Sequence, residues 1–445
     1  MLPRVGLVLL VGLALCSGLA RASVPIIDPA AISTKTLDNG LKVIVKEAHS
    51  SPIVTLDLYV RSGSAVETEL TSGAMHLLEH MIFQRRANGY GGRIAREIEG
   101  LGGEVYAETT RDFVHFRVTV AAEFFSRALD ELALAVCDPQ IDEGLLLREK
   151  RIVFAELRDY REQPLRVITE AGFALLFEGH PYALPVAGRE REIARLDRDT
   201  LLRGVYEAHF TGPNMALVVV GDVSAEQVFK KAAQALSKLP DTPPPARSPA
   251  PPTPLSQERR RTIAGPGATT FLLLGFLAPS IAEKEAVCAT DVLLGVVGEG
   301  SSSLLQREVA AKHKNVRACG AGFLTQRWPG MFYVWLQLAG GSVDNVEKDL
   351  RALLARLAKE GVSEEEVRRG RAIILGSYAM QCETFPDQAG ALGFYEAIDT
   401  YHFAVEYEQR IRSVTKEQVD AVARRLFTQA PVVVVLAAEQ GGAGQ

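Results

Sequence analysis

Pro240-Asp241-Thr242-Pro243-Pro244-Pro245-Ala246-Arg247-Ser248-Pro249-Ala250-Pro251-Pro252-Thr253-Pro254 organises this 445-residue chain. Proline has no amide hydrogen to give to a helix or a sheet ladder, so a run this dense reads as a semi-rigid linker. It separates two pieces of about 200 residues each. Working outward, both pieces close on the same pattern. In the first, Asp197 to Phe210 reads as a capped helix, followed by the apolar strand Ala216 to Val220 and a Gly221-Asp222 turn. In the second, Thr415 with Gln418 three residues on has the form of a capping box. The helix it starts runs to Phe427 and precedes the strand Val432 to Leu436. Two helix-then-strand endings at matching places point to a duplicated domain.

Leu41 to Lys46 and Val54 to Val60 alternate as strands do, with a turn at Ser50-Ser51-Pro52. Gly92 to Gly100 places Ile94 and Ile98 four apart, a short helix ended by Leu101-Gly102-Gly103, and Phe113 to Val120 alternates again. Antiparallel-type strands mixed with long helices predict an α+β fold. The expected architecture is two related αβ domains, residues 23–239 and 258–440, each a mixed, mainly antiparallel sheet with helices, joined by the linker 240–257. The tail from Gly441 to Gln445 is expected to lack order.

Hydrophobic residues make up 47% of the chain and charged ones 23%, with a formal net charge of −5, so the surface is mixed and mildly acidic. The densest basic run, Arg259 to Arg261, is too short for a nucleic-acid footprint and reads as a solvated domain edge. At the N-terminus, Arg4, the apolar run Val5 to Leu15 and Ala20-Arg21-Ala22 have the form of a secretory signal peptide over residues 1–22. The run is shorter than the roughly 20 apolar residues a bilayer span needs. Leu15 before Cys16 argues against a lipoprotein. Cleavage after Ala22 predicts an exported chain, periplasmic or secreted, with no later membrane span. Of the remaining cysteines, Cys137, Cys288, Cys319 and Cys382, none lies in a CxxC or zinc-knuckle spacing. They read as small core residues, with pairing open.

The chemistry lies in Gly73-Ala74-Met75-His76-Leu77-Leu78-Glu79-His80-Met81-Ile82-Phe83. The stretch is helical in pattern, and residues four apart share a face, so His76 and His80 can present two imidazoles to one ion. Glu79 falls near that face, within reach of an ion-bound water. Two His and one carboxylate with an open fourth position form a hydrolytic zinc site. The predicted cofactor is therefore one Zn2+ per chain.

The His-x-x-Glu-His order is that of the inverted zincins. With its surroundings it resembles the pitrilysin/insulinase family, particularly mitochondrial processing peptidase beta subunits and their bacterial relatives. The resemblance extends to Asp38-Asn39-Gly40-Leu41, to His180-Pro181-Tyr182, and to Gly212-Pro213-Asn214-Met215 through Gly221-Asp222. It implies two αβ domains enclosing a chamber. It also implies a third metal ligand 76 residues beyond the second His, which is Glu156, and a supporting acidic residue seven earlier, Glu149. His180 becomes a loop residue and not a ligand. Where the family has Asn-Ala on a substrate-pairing strand, this chain has Tyr106-Ala107, so main-chain pairing remains and the Asn side-chain contact is lost.

The family also implies an Arg and a Tyr facing the metal from a second domain. Those positions fall here near Val309 or Ala310 and near Ala318 or Cys319, and none of these can donate to an oxyanion. Arg307 and Arg317 lie close by in sequence. Gly298-Glu299-Gly300 lacks the Lys-Ser/Thr of a phosphate loop. The expected function is a zinc-dependent endopeptidase acting on peptides or unfolded segments. Its expected partner is a homologous subunit that has no zinc motif and carries Arg and Tyr. The rival expectations are a non-catalytic assembly or chaperone subunit that retains a metal site, and an exported zinc-binding protein.

Overall fold

The computed structural model describes residues 25–84, 92–246, 249–265, 267–339 and 342–438. The expectations for residues 1–22 and 441–445 lie outside these. Eleven strands form two sheets among the described residues. The first contains β1 (Ile32–Thr36), β2 (Lys42–Glu47), β3 (Ile53–Val60), β4 (Glu104–Thr109), β5 (Val114–Ala121) and β6 (Met215–Gly221), in the order β1-β2-β6-β3-β5-β4. The second contains β7 (Arg259–Ala264), β8 (Thr270–Leu277), β9 (Val316–Phe323), β10 (Met331–Leu338) and β11 (Val432–Ala437), in the order β7-β11-β8-β10-β9.

The two orders are the same once β1 is set aside. In each sheet a single parallel pair, β2 with β6 and β7 with β11, joins a run of antiparallel partners. The fold is α+β, built on a repeated topology. β2 and β3 are linked by the Ser50-Ser51-Pro52 turn but do not pair, because β6 lies between them. Residues 240–246 and 249–258 form neither helix nor strand. The capping box at Thr415 and Gln418 is present, starting the helix Lys416–Phe427. At the corresponding place in the first half, Asp197 Oδ1 accepts from the Thr200 amide (2.8 Å), and the helix that follows is π-type over Thr200–Tyr206.

Five helices of the first half matter for the site: α1 (Ala74–Ile82), α2 (Arg93–Gly100), α3 (Phe125–Cys137), α4 (Glu143–Arg161) and α5 (Pro164–Leu176). α3 packs on β5, whereas α5 leaves its own half and lies on β8 and β11 of the second sheet. The helix Phe385–Ile398 makes the reciprocal move onto β3 and β6. Successive residues of a strand face opposite sides, so the exchange explains why β6 and β8 are apolar without alternation. Leu217 and Val219 join the first half's own core, while Val218 and Val220 join the core shared with the second. Close approach needs Gly393, since a Cβ there would meet Tyr59 Cε2 at 2.0 Å. Glu396 on the same helix, only 3% exposed, takes Arg61 (2.6 Å) and Lys42 (2.8 Å) of the first half. Arg327 of the second half donates to Ala397 O and through its amide to Asp112.

The four described cysteines are free thiols, with Cys288 and Cys382 buried and Cys137 and Cys319 half-buried. Arg259 to Arg261 lie on the edge strand β7, where Arg260 grips Glu347 through two 2.9 Å bonds.

Candidate metal centre

The helix that carries the paired histidines begins at an unusual place. Gly73 precedes it at φ 92°, and a Cβ there would meet Gly188 Cα at 2.9 Å, so the start of α1 is sterically tied to a glycine. Gly73 cannot cap the helix with a side chain. Glu67, buried, does so from six residues upstream, its two carboxylate oxygens accepting from the Gly73 and Met75 amides at 2.8 Å each. These are amides that a helix leaves without internal partners. One face of α1 (Ala74, Met75, Leu77, Leu78, Met81, Ile82) is in the core, which fixes the helix rotation and turns His76 and His80 toward α4.

The rings of His76 and His80 meet edge to face, 4.8 Å between centroids. His76 Nε2 lies 3.7 Å and His80 Nε2 3.5 Å from Glu156 Oε2 on α4. Donor atoms of all three side chains fall within 4.8 Å of one another. The two separations from Glu156 are too long for good hydrogen bonds. Ligands bound tetrahedrally at ~2.0–2.1 Å sit roughly 3.4 Å apart, so the donor set fits one small cation such as Zn2+. Glu149, one turn pair earlier on α4 and 1% exposed, approaches the other nitrogen of His80, Nδ1, at 3.6 Å. A carboxylate there orients the ring so that Nε2 faces Glu156.

The charges are uneven across the cluster. Burial, with the charge of His80, holds His76 down at about 4, so its imidazole is neutral and free to ligate. Burial opposes protonation of His80 too, but Glu149 and Glu156 more than offset it and raise His80 to about 10. Glu156 is held below the usual carboxylate range by its contact with His80. A lone imidazolium between two carboxylates marks a place that favours positive charge, which a metal ion would supply in place of the proton.

Glu79 lies beside the cluster, half-buried, and the loss of solvent around its carboxylate raises its pKa. Thr109 Oγ1 donates to Glu79 Oε2 at 2.8 Å. Thr109 ends β4, the edge strand of the sheet, whose outer side has no partner strand among the described residues. Tyr106 and Ala107 sit on this strand, Tyr106 half exposed with the Arg117 guanidinium 5.6 Å over its ring. His180 is elsewhere, in a loop where its Nδ1 accepts from the Tyr182 amide. Arg307 is engaged by Glu366 at 2.9 Å in the second half, Val309 is buried, and Arg317, Ala318 and Cys319 lie on β9.

Sequence reading missed Thr109 and Glu67. Strand alternation places Ala107 and Thr109 on one face, a usable signal, but nothing in the sequence says that α1 packs on that face. Tyr160 and Arg166 were also missed: the guanidinium lies 3.3 Å over the Tyr160 ring, one turn beyond Glu156.

Two family models match the chain. The description "Insulinase (Peptidase family M16)" covers residues 42–190, which contain all of the cluster, and "Peptidase M16 inactive domain" covers residues 199–374. The chain belongs to the insulinase (M16) peptidase family. Among M16 relatives, an "uncharacterized zinc protease YmxG" of Bacillus subtilis is 23% identical over 410 residues, spanning 89% of this chain and 96% of that one. A probable mitochondrial-processing peptidase subunit alpha-1 of Arabidopsis thaliana is 27% identical, spanning 87% and 77%. An M16 crystal structure from Pseudomonas fluorescens, titled as the inactive domain, superposes with a TM-score of 0.84 over 92% of this chain and 98% of that one, at 22% identity. A Helicobacter pylori protease structure superposes at 0.83 over 91% and 99%, at 21% identity. These likenesses establish the two-sheet M16 fold.

Proposed function

We propose that the chain is a zinc-dependent endopeptidase acting on peptides or unfolded protein segments. One observation carries the reading: His76, His80 and Glu156 bring donor atoms within 4.8 Å of one another beside the half-buried carboxylate of Glu79. Relatives named zinc proteases agree with it. His76 Nε2, His80 Nε2 and a Glu156 oxygen would hold the ion, with Glu149 orienting His80. Zinc bound there supplies Lewis acidity and lowers the pKa of water toward about 7. Glu79 accepts the proton of the attacking water at a carboxylate oxygen and delivers it to the leaving amine nitrogen. Its raised pKa makes it a better base for that transfer. The outer edge of β4 binds substrate by main-chain hydrogen bonds, with Tyr106 and Ala107 flanking the peptide.

In this proposal residues 1–22 direct export, to the periplasm or outside the cell. The chain acts as the zinc subunit of a pair whose other member supplies an Arg and a Tyr. The family likeness to processing-peptidase alpha subunits favours a pair. The test is cleavage of a quenched fluorescent peptide by the zinc-loaded chain, alone and with a homologous subunit lacking the motif. Glu79→Gln should abolish turnover with zinc retained, and His80→Ala should lose the zinc. Turnover by Glu79→Gln would remove that residue from the role. No cleavage even with the partner would favour a non-catalytic assembly subunit, and full activity alone would defeat the pairing.

A further inference from the structure

Beside the metal cluster, a cavity of about 420 Å3 opens between the end of β4 and the first turn of α5. Glu108 and Thr109 form one wall, Gln163, Arg166 and Glu170 the other, and Leu324 of the second half closes a side. Its position is set by the edge strand. Ala107 and Thr109 face α1, where Thr109 holds Glu79, and a chain added to β4 and continued past Thr109 runs into this cavity.

The charges around it are almost all matched. Glu170 is taken by Arg111 at 2.9 Å and Glu108 by His115 at 3.5 Å. Asp112 is taken by the Tyr182 hydroxyl and the Arg327 amide. Arg166 is the exception. Its guanidinium rests on the Tyr160 ring at 3.3 Å, and among the described residues no carboxylate lies within ion-pair distance of it. The stacking holds the group in place without neutralising it and leaves its N–H edges available. Its charge reaches the cluster, acting on both His76 and Glu156.

We propose that Arg166 is a specificity residue, the cationic wall of a subsite that takes an acidic side chain of a peptide laid along β4 next to the scissile bond. This rests on the peptidase reading above. A half-buried guanidinium without a counter-ion gains a charge-assisted, bidentate partner when a substrate Asp or Glu enters, whereas a Lys or Arg would meet like charge. The substrate class is therefore peptides with a carboxylate beside the cleavage point.

The test uses the full zinc-loaded chain carrying Glu79→Gln, which binds without turnover. Its ligands are fluorescein-labelled nonapeptides that differ only in Glu, Gln or Lys at each position flanking the centre, read by anisotropy. At one position the Glu peptide should bind roughly 10- to 100-fold tighter than the Gln peptide. Arg166→Gln should erase the difference, Arg166→Lys should keep part of it, and Arg166→Glu should reverse it in favour of Lys. No preference for Glu at any position, or a preference that survives Arg166→Gln and Arg166→Glu, overturns the proposal. Binding that depends on Arg166 in a chain whose native form cleaves nothing even with the partner subunit would sink the hydrolase reading alone. Cleavage by the native chain without an acidic preference would sink the subsite alone.

Discussion

Removing the Glu67 carboxylate tests how the metal helix is held. In Glu67→Ala the amides of Gly73 and Met75 lose 2.8 Å bonds to a buried carboxylate, at the helix end where negative charge is favoured. Hydrogen bonds to a charged group contribute about 1.5–3 kcal/mol each, so the two together come to about 3–6 kcal/mol, part of it recovered by water entering the void. An expected loss of about 3–4 kcal/mol follows for the start of α1. Glu67→Gln keeps one acceptor and sets an NH2 against an N–H, so it should lose about half as much. His76 is one residue beyond Met75, so the frayed turn displaces an imidazole proposed to ligate the metal. Zinc affinity should fall roughly 10- to 100-fold, as for other losses of support around a ligand. The assays are amide exchange across residues 73–76, expected to quicken about 100-fold or more, and competitive zinc titration. Wild-type exchange rates and zinc affinity in Glu67→Ala would refute the reasoning.

Three further outcomes are expected. Thr109→Val keeps the side chain's shape and removes the hydroxyl that steadies Glu79, so kcat should fall about 10-fold with zinc content and KM little changed. Glu396→Ala leaves Arg61 and Lys42 facing a void between the halves and should cost about 3–5 kcal/mol in urea unfolding. Asp291 is buried, bonded to the Tyr407 hydroxyl at 2.8 Å, and burial lifts its pKa to about 7. The folded state thus holds a proton that the unfolded state releases near pH 4. Its contribution is present at low pH and lost as pH rises through 7, a change of about 3 kcal/mol between pH 5 and 8. Asp291→Asn should flatten that part of the stability profile. An unchanged slope would show that the residue ionises freely.

The sequence by itself determined what is local or periodic. Helical spacing put His76 and His80 on one face, the Thr415 box started its helix where expected, and the repeated helix-strand endings announced two sheets of one topology. Glu156 was legible only through its distance from the pentad in a recognised pattern, since an isolated Glu on a polar helix looks like any solvated one. Tertiary structure alone decided the rest, because those contacts join residues that no periodicity relates. The exchange of α5 for the helix Phe385–Ile398 makes β6 and β8 apolar on both faces, a pattern that reads equally as any buried strand. The contacts of Thr109 with Glu79 and of Arg166 with Tyr160 depend on how α1, β4, α4 and α5 pack. A side chain's partner across such an interface is set by three-dimensional packing, and the order of residues along the chain does not encode it in any local pattern.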